Sequence, residues 1–409
     1  MWMLTRLAAR NVFRNLRRTL ITTSAISLGL GLMIMSNNLS YGTYQTMIRT
    51  GVSAMAGHVV VQGTGWQDSR EARDLVTDAD ETLAKMDALV GDSGLVVPRM
   101  FLQGLISSTS GSVSLMATAI APAREQQISD WQDKIVEGEY LSDDDGAIIL
   151  GRTLADSLQV DLGDKVVVMV QGEEDVSSRL FRVRGLLATG SESIDGFMAM
   201  ITLPAGRELL EAPDSAHQLS VHLDDPDTWP DHVDTLRAAL PASVEVLGWP
   251  QAIPSIYELV EMDTRQNNTL MFIIGFIVAI GVLNTVLMSV MERIREFGVM
   301  LALGTAPSKL VTIIVLEGAI LGVLSVGLGV ALGLLASWPL ITQGLDFAAM
   351  MGENLEMGGV TLDSRVYAAI DWERLIIYSA AGVVMTMLAT LYPALKAARL
   401  RPVESMRHV

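Results

Sequence analysis

Residues 269–291 read TLMFIIGFIVAIGVLNTVLMSVM, and residues 292–304 continue ERIREFGVMLALG. The first stretch carries no charge and exceeds the ~20 apolar residues a helix needs to cross a bilayer core. Its uncharged character ends abruptly at Glu292, Arg293, Arg295 and Glu296. A buried helix of a soluble protein rarely runs this long without charge, so the stretch is read as a transmembrane helix with a charged loop at its exit.

Further spans follow on either side. Residues 310–340 are apolar except for Glu317, and residues 374–395 close the set. Near the N-terminus, residues 19–39 are uncharged and long enough to span if their Ser and Thr residues are tolerated. The alternative there is a cleaved signal peptide, which the long basic region and the lack of a clear A-x-A site disfavour. Residues 1–18 hold Arg6, Arg10, Arg14, Arg17 and Arg18 and no acid. On a helical wheel Trp2, Ala9, Phe13, Leu16 and Leu20 share a face, which predicts an amphipathic helix lying in the membrane interface.

Half of the 409 residues are hydrophobic, yet 18% are charged. That mixture fits membrane helices combined with a polar domain. The polar part is residues 40–268, with 36 acidic and 15 basic side chains, while the rest of the chain carries 10 and 14. So acidic a segment argues against nucleic-acid binding, which needs clustered Lys and Arg. Short β-type runs at 58–62, 147–150, 165–170 and 181–187 are bounded by Gly and Asp. Helical stretches at 79–90 and 230–240 lie between them. The expectation is an α+β domain of two subdomains between spans 1 and 2 of a four-helix membrane protein.

Basic residues set the orientation. The arginine-rich arm, the 292–309 loop with Arg293, Arg295 and Lys309, and the 396–409 tail with Lys396, Arg399, Arg401 and Arg407 all fall on one side of four spans. That side is read as cytoplasmic, which leaves residues 40–268 and the 341–373 loop outside. The expected location is a bacterial inner membrane.

Little in the chain could carry catalysis. There is no cysteine, which removes disulfides, thiolate metal sites and cysteine nucleophiles. No GxxxxGK[ST] loop exists to cradle phosphates, so ATP chemistry is not expected here. Asp143-Asp144-Asp145-Gly146 and Asp224-Asp225-Pro226-Asp227 lack the spacing of a calcium loop and read as solvated turns. The five histidines form no close pair, and Ser107-Ser108-Thr109-Ser110 has no identifiable base. No metal site and no resident cofactor are expected. In the third span Gly318 and Gly322, and Gly329 and Gly333, are four apart, a spacing that lets helices approach closely. Asn284, within the second span, is a candidate for bonding across helices. Glu317 is a functional candidate, with snorkelling to the interface as its alternative.

The stretch Leu283–Gly304 resembles the loop after the second span in ABC permeases of the MacB, FtsX and LolC/LolE superfamily, with Phe297 in place of the usual Ile. The tail from Tyr392-Pro393-Ala394 to Pro402-Val403-Glu404 and Arg407 is similar to that family's ending. Ala9–Arg18 is similar to its arginine-rich start. In layout the chain is closest to the LolC/LolE type. The resemblance implies a cytoplasmic ABC ATPase dimer as partner, which would hold ATP and Mg. It also implies a second permease chain, identical or related, and a lipoprotein or amphiphile cargo passed in some branches to a periplasmic carrier. Glu292, Arg293, Arg295, Glu296, Gly298, Ala302 and Gly304 would form the coupling helix that docks on the ATPase. Two alternatives are a mechanotransmission permease that activates an external cell-wall hydrolase, and MacB-like efflux. A membrane-anchored receptor without an ATPase is a third.

Overall fold

The computed structural model describes residues 2–14, 16–142, 146–172, 175–346, 356–357, 360–361 and 365–399. Two sequence motifs, Asp143–Asp145 and the tail beyond Arg399, lie outside the described residues, as does much of the 341–373 loop. The described residues fall into two compact units. One is drawn from Met1–Gln45, Glu261–Asp346 and Arg365–Val409, the other from Thr46–Val260 and Phe347–Ser364.

The first unit holds four helices long and apolar enough to cross a membrane. They span Leu16–Gly51, Pro254–Glu292, Pro307–Thr342 and Trp372–Ala398. The first and second run well past their apolar stretches, so Ser40–Gly51 and Pro254–Asn268, read from polarity as part of the outer domain, are helical continuations. Nothing in them breaks a helix, and Tyr44 donates a hydrogen bond to Asp263 between the two. The third helix continues through Pro339 to Thr342. Trp338 and Trp372, both largely exposed, sit near the end of the third helix and the start of the fourth, where amphipathic rings suit a membrane–water boundary.

Small residues set the packing of this unit. A methyl group on Gly318 would lie 2.3 Å from Thr390 Cγ2, and one on Gly322 would lie 3.1 Å from Thr386 Cβ. One on Gly333 would meet Ile34 Cβ at 2.8 Å. Gly318 and Gly322 thus seat the third helix on the fourth, and Gly329 and Gly333 seat it on the first. Polar contacts reinforce both seams: Ser27 donates to the Ser325 carbonyl at 2.8 Å, and Asn38 donates to Ser337 Oγ at 3.1 Å. Inside an apolar medium such groups need partners within the protein.

The second unit is an α+β domain. Its main strands are β1 (Val59–Gly63), β2 (Gly94–Ser107), β3 (Ser112–Ile120), β4 (Ile135–Gly138), β5 (Ala147–Gly151), β6 (Lys165–Gln171), β7 (Val176–Leu187), β8 (Met198–Thr202), β9 (Gln218–Leu223) and β10 (Val244–Gly248). The order is β10-β1-β9-β2-β3-β8-β5-β7-β4, and β6 joins β2 to β7. Two subdomains result. In the first, β10, β1, β9 and the start of β2 form an antiparallel sheet. Val59 and Val61 face helices Ala79–Val90 and Trp229–Ala239, while Val60 packs on Ala56, Ile253 and Ile256. The strand is apolar throughout because both its faces are covered. In the second, β2, β3, β8, β5, β7 and β6 pair in a closed ring. Val166, Val168 and Val170 point inward and alternate with more exposed neighbours, the period-2 pattern of a barrel wall.

Strand β2 belongs to both subdomains. Arg99 pairs with Gln218 of β9 on one side and Ile120 of β3 on the other, so it marks the crossing. Its guanidinium is fully buried and donates to both carboxylate oxygens of Glu125, at 2.6 and 3.1 Å. Neither charge could be tolerated there alone. Further along, Gly104 meets Met169 so closely that a Cβ would lie 2.1 Å from that carbonyl oxygen. Of the Asp-rich stretches, Asp225 accepts a hydrogen bond from the Asp227 N–H and caps a short turn.

Candidate functional site

The loop after the second span folds as a short helix, Ile294–Ala302. Arg293 sits at its N-cap. Gly304 ends the turn with a φ of 88°, a left-handed conformation that glycine adopts without strain. Pro307 then starts the third helix, where its missing N–H is no loss.

A closed circuit of polar side chains holds this helix. Glu317 accepts a hydrogen bond from Asn11 Nδ2 at 2.6 Å and two from Arg293 Nη1 at 3.0 and 3.1 Å. Arg293 also donates through Nε to Glu296 at 3.1 Å, and its guanidinium lies 4.9 Å from the Phe297 ring centre. Glu296 in turn accepts from Arg14 Nη2 at 2.8 and 3.1 Å. Asn11 and Arg14 share the N-terminal helix Trp2–Arg14, so the circuit joins that helix, the loop helix and the third span. Burial pushes the Glu296 carboxyl upward, but its bonds to Arg293 and Arg14 outweigh that and hold it below the usual carboxylate range.

These contacts correct several sequence expectations. Glu317 does not snorkel: it is buried, and Arg293 neutralises it. Arg293 and Gly298 are also buried, so neither offers a surface to a partner. Asn284 is exposed on the second helix and makes no hydrogen bond across helices among the described residues. The N-terminal helix turns Ala8 and Val12 inward, whereas Leu16 and Leu20 are exposed. The single helical wheel fails because one helix ends at Arg14 and the next begins at Leu16.

What remains outward on the loop is Glu292, Arg295, Glu296, Ala302 and Gly304 from the expected set. Sequence reasoning missed Val299 and Leu303, the latter 82% exposed. It also missed Asn11 and Arg14 as anchors, although Arg14 lies in a helix rich in cations and Glu296 is a natural counter-charge. The loop therefore presents an apolar tip beside Arg295, on a base pinned from behind. An exposed apolar tip of this kind suits insertion into a groove on a soluble protein.

Comparison with known proteins places these features in context. The MacB-like periplasmic core domain profile matches residues 19–239, and the FtsX-like permease C-terminal profile matches residues 268–402. The chain is 25% identical over 401 residues to the lipoprotein-releasing system transmembrane protein LolC of Neisseria meningitidis serogroup B, covering 95% of this chain and 94% of that one. It is 23% identical over 405 residues to LolC of Xylella fastidiosa, with 94% and 93% covered. To the macrolide export ATP-binding/permease protein MacB of Wolinella succinogenes it is 23% identical over 360 residues, 80% of this chain and 52% of that protein.

Proposed function

This chain belongs to the family of ABC transporter permeases that join a MacB-like periplasmic core domain to an FtsX-like permease C-terminal region, and from that premise we propose that it couples ATP hydrolysis on a separate ATPase to work outside the membrane. The observation that carries the reading is the loop helix Ile294–Ala302: its base is fixed by Arg293, Glu296 and Glu317, and its tip exposes Val299 and Leu303. A docking element must be stiff at its root to pass on a push, and sticky at its tip to receive one.

In this reading a cytoplasmic ATPase dimer, which holds the ATP and Mg, binds two permease chains through Glu292, Arg295, Ala302, Leu303 and Gly304. Both termini lie in the cytoplasm and the acidic domain lies in the periplasm of a bacterial inner membrane. The cargo is a lipoprotein or a related amphiphile. Similarity along nearly the whole chain to proteins named for lipoprotein release favours that cargo. The second permease copy, and any periplasmic carrier, are part of the same proposal.

Affinity purification of the full chain tests it. An ABC ATPase should co-purify, and its hydrolysis should respond to the permease. Leu303→Asp with Arg295→Glu should abolish both. If the doubly substituted chain still bound and stimulated the ATPase fully, the coupling role would be lost. Accumulation of lipoproteins in the inner membrane on depletion checks the cargo.

A further inference from the structure

The outer domain contains a cavity of about 1030 Å³ within its own unit. That lies at the top of the ~300–1,000 Å³ typical of small-molecule sites. Trp66, Phe101, Met116 and Phe197 are among the residues lining it. Met116 and Phe197 are 43% and 38% exposed, although the domain around them is densely acidic. Methionine is flexible and polarizable, which suits an apolar guest of variable shape.

The charges at this cavity run against those of the domain. Residues 40–268 carry 36 acids against 15 bases, yet among the described residues the lining includes Arg70, Arg73 and Lys134 with Glu71 as its one acid. Arg73 is paired with that Glu71 at 2.6 Å. Arg70 lies 5.7 Å from the centre of the Trp66 ring and has no carboxylate partner among the described residues. The Lys134 ammonium sits 5.1 Å from the Trp131 ring centre and pairs at 3.2 Å with Asp130, which is itself largely exposed. Trp66 is nearly fully buried, stacked on His217 with ring centres 4.1 Å apart. Its indole N–H is enclosed and meets no hydrogen-bond acceptor among the described residues.

We propose that this cavity binds a single-chain anionic amphiphile, with its hydrocarbon chain along Phe101, Met116 and Phe197 and its acidic head at Arg70 beside the Trp66 ring. Lys134 is the second cation of the wall. The site takes its biological sense from the reading of the chain as an amphiphile-handling permease, but binding needs no ATPase.

The test uses the full chain in nanodiscs of zwitterionic lipid. The probe is lysophosphatidylglycerol with a diazirine in its acyl chain, and labelled peptides are identified by mass spectrometry after illumination. Label is expected on the peptides carrying Met116 or Phe197. Unlabelled lysophosphatidylglycerol should compete about tenfold better than lysophosphatidylcholine, the worth of one charge-assisted contact. Phe197→Asp should remove the label from the domain. Arg70→Gln should keep the label and sharply reduce the preference for the anionic competitor, and Arg70→Gln with Lys134→Gln should erase it. All three side chains are partly or largely exposed, and an unchanged melting temperature confirms that the variants are folded. Label confined to the membrane spans, or equal competition by both lysolipids, overturns the proposal. Either result leaves the ATPase-coupling reading standing, and loss of ATPase binding leaves the labelling experiment intact.

Discussion

Arg293 and Glu317 are 24 residues apart in sequence and 3.0 Å apart in space, and both are buried. Each neutralises a charge that the other alone could not keep there. Removing one partner of such a pair typically costs ~3–5 kcal/mol, because an uncompensated charge stays behind. Glu317→Leu and Arg293→Met should each lower the melting temperature of the detergent-solubilised chain strongly. The double variant should recover much of that loss. A double-mutant cycle measured by thermal unfolding checks this. Additive losses would mean that the two residues act independently.

Gly318 lies so close to Thr390 that even a methyl group overlaps it. Gly318→Ala should destabilise the helix pair by ~1–3 kcal/mol, the usual range for overpacking. Thr390→Ala removes the atoms it strikes and should restore most of the stability. Gly327, whose Cβ would meet nothing within 4 Å, provides the control, since Gly327→Ala should have little effect. Melting temperatures of the four chains decide the matter.

Leu303 is 82% exposed and contributes little to packing among the described residues. Leu303→Asp should leave the melting temperature within about 1 °C, since exposed substitutions change stability by under ~0.5 kcal/mol. It should nevertheless reduce ATPase recovery on affinity purification. Phe297→Asp, at a fully buried neighbour, should impair both. The contrast separates a docking residue from a structural one.

The outer domain should weaken in mild acid. Burial lowers His58 and His222, and it holds His217 down at about 4. In the unfolded chain these side chains titrate near ~6.5. Between those values the unfolded state binds protons that the folded state refuses, so stability falls as pH drops from about 6.5 toward about 4 and is fully present above that window. His217 accepts from the Phe101 N–H through Nδ1 at 3.0 Å. His217→Gln should therefore remove about one proton from the uptake on unfolding. Urea unfolding at pH 7.5 and 5.0, followed by tryptophan fluorescence, measures it. A midpoint identical at both pH values in the unsubstituted chain would contradict the prediction.

The membrane helices were legible because their cause is local: a run of uncharged residues is a property of the sequence itself. Helix Ala79–Val90 was readable to the residue, since its buried positions 79, 82, 86 and 90 repeat at helical spacing. The glycine pairs of the third span identified its packing face, but not that one pair meets the fourth helix and the other the first. Arg293 reads as a surface residue because its sequence neighbours are charged. Its burial depends on Glu317 and Asn11, which no periodicity brings near it. Leu303 was overlooked for the converse reason: an apolar residue among apolar residues looks like core until the fold leaves it outside. No sequence pattern marks the cavity, since it is assembled from segments spread across the domain.

Strand β2 runs unbroken from the open sheet into the barrel, with Arg99 and Glu125 locked at the crossing. Sliding one subdomain against the other would strip hydrogen bonds from both edges of this strand and expose the buried pair. The domain can therefore be tilted as a whole but resists internal shear. In mechanical terms the strand is built as a beam and not as a hinge.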